Sequence, residues 1–284
     1  MALLKKYIAG DGSMRIASLV SSDIVRVAVQ HQQMSPLALT ALGRAMTGAA
    51  LMAGQLKEGQ RIGLNFRGDG PVASLFAEAR YEGAVRAWCG NRDATAVAGQ
   101  TPVGKGTLEV VRSLPFQKQP HRGTVELASG AIGDDIAFYL NQSHQIPAIV
   151  ALSTAPAGDG EVLAGGYIIE LMPGHSPDTI AKLEKVHALV PSVSTLLEGG
   201  AGAEDLVADY LLNFPCTELD HPHAMTFRCS CTMERVEDSL RLLGTDALTD
   251  MIADKKNITI NCEFCAKGYS VTLLQLQKLL LDLA

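Results

Sequence analysis

Four of the chain's six cysteines stand in two tight pairs, Cys229-Ser230-Cys231 and Cys262-Glu263-Phe264-Cys265, with thirty residues between them. Two close thiolate pairs on separate segments can supply the four soft ligands of a tetrahedral zinc site. Each pair can also close on itself as a disulfide, because so short a separation can bring two Cα atoms within bonding reach. One constellation therefore allows metal binding when reduced and thiol switching when oxidised. Among four cysteines, three disulfide connectivities stay open.

Magnitudes separate these states. A structural zinc contributes on the order of 10–16 kcal/mol of folding free energy and would tie Cys229 to Cys265 across the whole segment. A disulfide within one pair closes a loop of a few residues, worth roughly 2 kcal/mol, and ties nothing across it. A cross-pairing would keep the tie. A unit of about 55 residues has too small a core to be secure alone, so a metal staple is expected. From Cys229 onward Asp and Glu outnumber Lys and Arg by eight to six, which argues against a nucleic-acid finger.

The other chemistry-bearing residues are weaker signals. Cys89, beside Trp88 on an expected strand, reads as a small core residue. Cys216 lies near His221 and His223, which could offer alternative metal ligands, but a solvated loop is the better account of them. Gly99-x4-Gly104-Lys105-Gly106-Thr107 has the outline of a phosphate loop, which requires a strand before it and a helix after it. Leu108 to Val111 is rich in β-branched residues with Pro115 close behind, so a strand is expected there and no nucleotide site. His31, His121, His144 and His175 are isolated, and Asp69 sits in a glycine-rich turn suited to turn geometry. With no Gly-x-Ser-x-Gly elbow, no enzyme is expected.

The elements that must position the thiols fall into three stretches of an α+β chain. An N-terminal mixed α/β-sheet domain spans 1–174, a metastable helical linker 175–226, and a small C-terminal zinc-binding domain 227–284. In the first stretch Ser35-Pro36 starts a helix through Lys57, whose Gly43, Gly48 and Gly54 call for a close-packed face. Strands are expected at 61–66, 72–79, 84–89, 107–114, 123–127, 146–152 and 162–171, with a helix at 133–143. The linker holds eight Asp and Glu against three Lys and Arg over 175–228, with helical spacing at 178–189 and 203–212. The last stretch reads as two helices between the cysteine pairs, a strand at 258–260 delivering Cys262, and a Leu-rich helix at 273–283.

Hydrophobic content of 47% and a net charge of −6 describe a folded protein without the basic surface that phosphate binding needs. No secretory core and no apolar run near the ~20 residues that span a bilayer is visible. A cytoplasmic address is expected, where thiols stay reduced.

Phe227-Arg228-Cys229-Ser230-Cys231 and Ile258 through Cys265 with Tyr269 resemble the thirty-three-kilodalton heat-shock protein family, the redox-regulated chaperones of bacteria. Ser35-Pro36-Leu37 with Leu42 to Ala45, Gly68-Asp69-Gly70-Pro71, Phe138 to Leu140 with Gln142-Ser143 and Gln145-Ile146-Pro147, and Ala164 to Tyr167 extend the resemblance over nearly the full chain. The resemblance implies an ATP-independent holdase that binds unfolding client proteins. It implies one Zn2+ held by Cys229, Cys231, Cys262 and Cys265 in an inactive reduced monomer. It further implies that oxidants close Cys229–Cys231 and Cys262–Cys265, the second pair first. Zinc release, unfolding of the zinc domain and linker, and a homodimer would follow. A constitutive structural-zinc interaction protein without a switch is the competing expectation.

Overall fold

The structure is a computed structural model that describes residues 1–117, 119–219, 223–254 and 256–283. The chain divides into two compact units, Met1–Arg228 and Cys229–Ala284. The first unit begins with an antiparallel hairpin, β1 (Ala2–Ala9) and β2 (Met14–Val20), followed by α1 (Ser22–Gln32) and α2 (Pro36–Met52). A meander of β3 (Arg61–Gly68), β4 (Ser74–Arg80), β5 (Ala84–Cys89), β6 (Gly106–Ser113) and β7 (His121–Glu126) leads into α3 (Gly133–His144), β8 (Ala148–Pro156) and β9 (Val162–Leu171). Then come α4 (Pro177–His187), α5 (Val193–Glu198), α6 (Ala208–Asn213) and two short strands, β10 (Cys216–Glu218) and β11 (His223–Phe227).

Ser35 caps α2 by accepting the Ala38 N–H at 3.2 Å, with Pro36 at the first helical position. The glycines of α2 are explained by close approach. A methyl group on Gly43 would overlap the Thr154 side chain of β8, and one on Gly48 would overlap Ile136 of α3. This helix also corrects the expectation about apolar length. The helical stretch Pro36–Gln55 is long and apolar enough to cross a membrane, and 78% of its apolar 18-residue window is buried, as suits the core helix of the unit.

The strands form one sheet in the order β7-β6-β3-β4-β5-β11-β1-β2-β9-β8, with β10 added beside β1. In the half built from β1, β2 and β9, side chains alternate between two apolar cores. Leu4, Leu19 and Ile168 face the core that contains α2. Tyr7, Ile16, Tyr167 and Ile169 face a second core, completed by Leu183, Val186, Leu197, Leu206, Tyr210 and Phe214 of the α4–α6 stretch.

The hairpin β1–β2 and the helix α1 were not expected from sequence. Neither were β10 and β11, which close a stretch that reads as helical. Met225, inward-facing on β11, is buried while Ala224 and Thr226 are exposed, an alternation too short to stand out from its acidic surroundings. The strand β11 pairs parallel with β5 and antiparallel with β1, so it joins the two halves of the sheet.

The second unit contains α7 (Met233–Arg241), α8 (Gly244–Ala253), the antiparallel pair β12 (Ile258–Asn261) and β13 (Gly268–Val271), and α9 (Leu273–Leu283). Its core is Leu240, Leu248, Val271, Leu276 and Leu279.

Candidate metal centre

Cys229 and Cys231 lie in the segment that precedes α7. Thr232 ends that segment as the helix cap, its hydroxyl accepting the Arg235 N–H at 3.3 Å. Arg235 Nη1 in turn donates to Ser230 Oγ at 2.7 Å, holding the single residue between the two thiols. Cys262 and Cys265 sit in the tight connection from β12 to β13. There the Ala266 N–H donates to the Cys262 carbonyl at 2.8 Å and the Cys262 N–H to the Lys267 carbonyl at 3.0 Å. Ala266 takes a left-handed φ of +55°, the turn of chain that carries Cys265 back beside Cys262.

These local turns bring all four sulfurs within 4.8 Å of one another. The short distances run across the segments: Cys229 Sγ to Cys262 Sγ is 3.6 Å, and Cys231 Sγ to Cys265 Sγ is 3.4 Å. Tetrahedral coordination with bonds of about 2.3 Å puts neighbouring sulfurs about 3.8 Å apart. The four cysteines are thus positioned to bind a metal ion, and an all-sulfur donor set fits zinc.

Electrostatics favour a cation at this place. Burial pushes the Cys231 thiol up. The Tyr269 hydroxyl, donating to its sulfur at 3.1 Å, and the other three cysteines outweigh that and bring it down to about 7. Burial raises Cys229, and burial together with the neighbouring sulfurs raises Cys265 to about 12. One thiolate therefore forms readily, and further ionisation beside it requires a compensating positive charge. Tyr269 belongs to the stretch that carries the family resemblance, but its hydroxyl contact with the Cys231 sulfur was not foreseen, because a partner across the turn is not written in local spacing.

The remaining candidates fall elsewhere. Cys89 is buried, with its thiol donating to the Asn91 carbonyl at 3.2 Å, and burial raises it to about 11, as suits a core residue. Cys216 is half-buried on β10 opposite Ala9, outside the sulfur cluster. His223 lies on β11 against the Tyr81 ring, and His221 lies outside the described residues. Lys105 precedes the strand β6 and not a helix, and the Lys105 N–H donates to Asp69 Oδ1 at 2.7 Å, so the phosphate-loop outline is part of a turn.

The Hsp33 protein family model matches residues 3–272. The 33 kDa chaperonin of Geobacter sulfurreducens is 36% identical, over 97% of this chain and 94% of its own length. That of Synechococcus sp. (strain JA-3-3Ab) is 34% identical, over 99% of this chain and 90% of its own. The crystal structure of the 33 kDa chaperonin from Thermotoga maritima, described as a heat shock protein 33 homolog, superposes with a TM-score of 0.86. It covers 99% of this chain and 98% of its own, at 26% identity. Likeness that runs the length of the chain in both sequence and fold settles its kinship: the chain belongs to the Hsp33 family.

Proposed function

We propose that this protein is a redox-regulated, ATP-independent holdase of the cytoplasm, an inactive zinc-bound monomer when reduced and a client-binding homodimer when oxidised. Its relatives are named chaperonins and not enzymes. In this reading residues 1–174 form the chaperone domain, 175–226 the metastable linker and 227–284 the redox-switch domain. Cys229, Cys231, Cys262 and Cys265 hold the zinc. The metal, when bound, neutralises the thiolates and links the two cysteine segments. The observation that carries the reading is that the four sulfurs, drawn from two different segments, converge within 4.8 Å.

Oxidation within each pair removes that link. One thiolate attacks a peroxide oxygen, breaking the O–O bond to give a sulfenic acid and hydroxide, which takes a proton from solvent to become water. The neighbouring thiolate then attacks the sulfenic sulfur, forming the S–S bond and expelling a second hydroxide that solvent likewise protonates. Two peroxides are reduced for the bonds Cys229–Cys231 and Cys262–Cys265, and zinc is released as its donors are consumed. Neither bond joins the segments, so the small unit loses its staple. The linker then leaves its docking face, and apolar side chains such as Leu183 and Leu206 become available to unfolding proteins.

The test is light scattering from a thermally unfolding client, with the protein either zinc-loaded and reduced or treated with peroxide, while a chromophoric chelator reports metal. Suppression of aggregation only after oxidation, together with zinc release, is the expected result. Zinc release without suppression would leave a structural zinc protein. Leu206→Ser should suppress aggregation without oxidant, and an inactive reduced variant would show that linker undocking is not the controlling step.

A further inference from the structure

A cavity in the first unit serves neither the sulfur cluster nor the linker face. It has a volume of about 310 Å³ and lies where the C-terminal end of α2 meets β3, β6, β7 and α3. Met52, Leu56, Ile62, Val110 and the Tyr139 ring give it apolar walls. Its charged and titratable lining is of one kind. Arg112, Arg122, His121 and His144 line it, and among the described residues no aspartate or glutamate does. In a chain of net charge −6 that selection favours an anion.

Arg112 is the group with charge to spare. Its Nη2 donates to the Gln55 carbonyl at 3.2 Å and to Gln60 Oε1 at 2.8 Å, both neutral acceptors. Its Nε is buried without a hydrogen-bond partner, a costly state for a guanidinium donor. Two carboxylates adjoin the lining residues, and both are committed elsewhere. Glu170 accepts from Arg15 Nε and Nη2 at 2.6 and 2.8 Å and from Gln55. Glu109 accepts from Arg122 at 2.7 Å. The Arg112 guanidinium is thus held in place by neutral partners, in a cavity whose walls combine hydrocarbon with Gln55, His121, Arg122, Ser143 and His144.

We propose that this cavity binds a small organic carboxylate with an apolar or aromatic body, the carboxylate meeting Arg112 and the body lying against Met52, Leu56 and Tyr139. The volume stands at the lower end of ligand sites, which run from about 300 to 1,000 Å³, so the ligand is a single ring or a short chain. A carboxylate can meet the guanidinium edge that Gln55 and Gln60 leave open. The apolar walls reward a hydrocarbon body, which inorganic phosphate lacks.

The experiment is calorimetric titration of the full-length, zinc-loaded protein with 3-phenylpropanoate, its uncharged amide and inorganic phosphate. Chemical shifts of the Tyr139 and His144 rings locate the binding. The acid should bind saturably, the amide about tenfold more weakly or worse, and phosphate should not displace the acid. Arg112→Gln should weaken the acid by about tenfold and leave the amide unchanged. Arg122→Gln, at the rim and already paired, should have the smaller effect. Should Arg112→Gln fail to fold, the acid and amide still compare on the unaltered protein. No saturable binding at millimolar acid, equal affinity of acid and amide, displacement by phosphate, or unmoved Tyr139 and His144 resonances would each overturn the proposal.

Discussion

Leu42 on α2 and Leu248 on α8 are both fully buried helical leucines, yet they sit in cores of different kinds. Leu42 belongs to an apolar cluster that draws on α1, α2, α3 and most of the large sheet. Leu248 shares its core, among the described residues, with Leu240, Val271, Leu276 and Leu279. A unit of that size buries too little surface to offset its chain entropy by packing alone. In the proposed reading a metal held by the four sulfurs makes up the difference in the small unit, while Cys89 is filler in the large one. Stability placed in apolar surface responds to temperature and denaturant. Stability placed in thiolates responds in addition to metal supply and oxidants.

The largest expected effect tests that contrast directly. Under reducing conditions at neutral pH, a strong chelator should abolish amide hydrogen-exchange protection throughout the Cys229–Ala284 unit while leaving β3, β4 and α2 protected. The expected loss is of the order of the binding free energy of a structural zinc, roughly 10–16 kcal/mol, far above the few kcal/mol such a core supplies. Persistent protection in α8 and α9 without metal would show that the small core is self-sufficient.

Equal truncations in the two cores should then read out differently. Leu42→Ala and Leu248→Ala should each cost about 2–5 kcal/mol. With the proposed zinc staple, metal binding and folding are one equilibrium in the small unit, so Leu248→Ala should lower zinc affinity by about 30- to 5,000-fold. Leu42→Ala should lower the melting temperature of the large unit and leave zinc affinity unchanged. A competition titration with a chelator of known affinity decides it, and equal zinc affinity in the two variants would uncouple the metal from the small core.

The same difference governs what the sequence disclosed. The four-cysteine cluster was legible because each pair is local to one turn, although the two pairs meet across thirty residues of chain. The helix α2 was legible from Ser35-Pro36, and its glycines correctly announced a close-packed face. What escaped was held by distant partners. β11 owes its place to β5 and β1, more than one hundred residues earlier in the chain, and β1 and β2 alternate too irregularly to declare a strand pair. The linker helices were visible, but not that Leu183, Leu206 and Tyr210 pack on the face of the sheet opposite α2.

That linker stands between the two cases, since its short helices are ordered by docking. Tyr210 is its most committed side chain, fully buried, with its hydroxyl 3.1 Å from Tyr167 Oη and 2.7 Å from His187 Nδ1. Tyr210→Phe keeps the ring packing and removes both hydrogen bonds, which should cost about 1–3 kcal/mol. Limited proteolysis of the reduced protein should accelerate within residues 175–213 and not within α2. Unchanged cleavage would mean that apolar contact alone docks the linker.

The smallest effect belongs to the exposed rim of the large sheet, where neither apolar burial nor metal acts. Arg122 Nη1 lies 2.7 Å from Glu109 Oε1, and this hydrogen bond holds the Glu109 carboxyl below its ordinary value. A carboxyl depressed in the folded state stabilises above its unfolded value, and that contribution is lost as pH falls through the folded one. Both side chains are partly in water, so the pair should contribute no more than about 1 kcal/mol. Glu109→Gln should therefore lower the stability of the large unit slightly at pH 7, and the gap to the unaltered protein should close below the carboxylate range. Denaturant melts across that range measure it. A gap that persists in acid would assign the loss to packing, and this edge of the sheet would then resemble the core more than the salt-dependent surface it is taken to be.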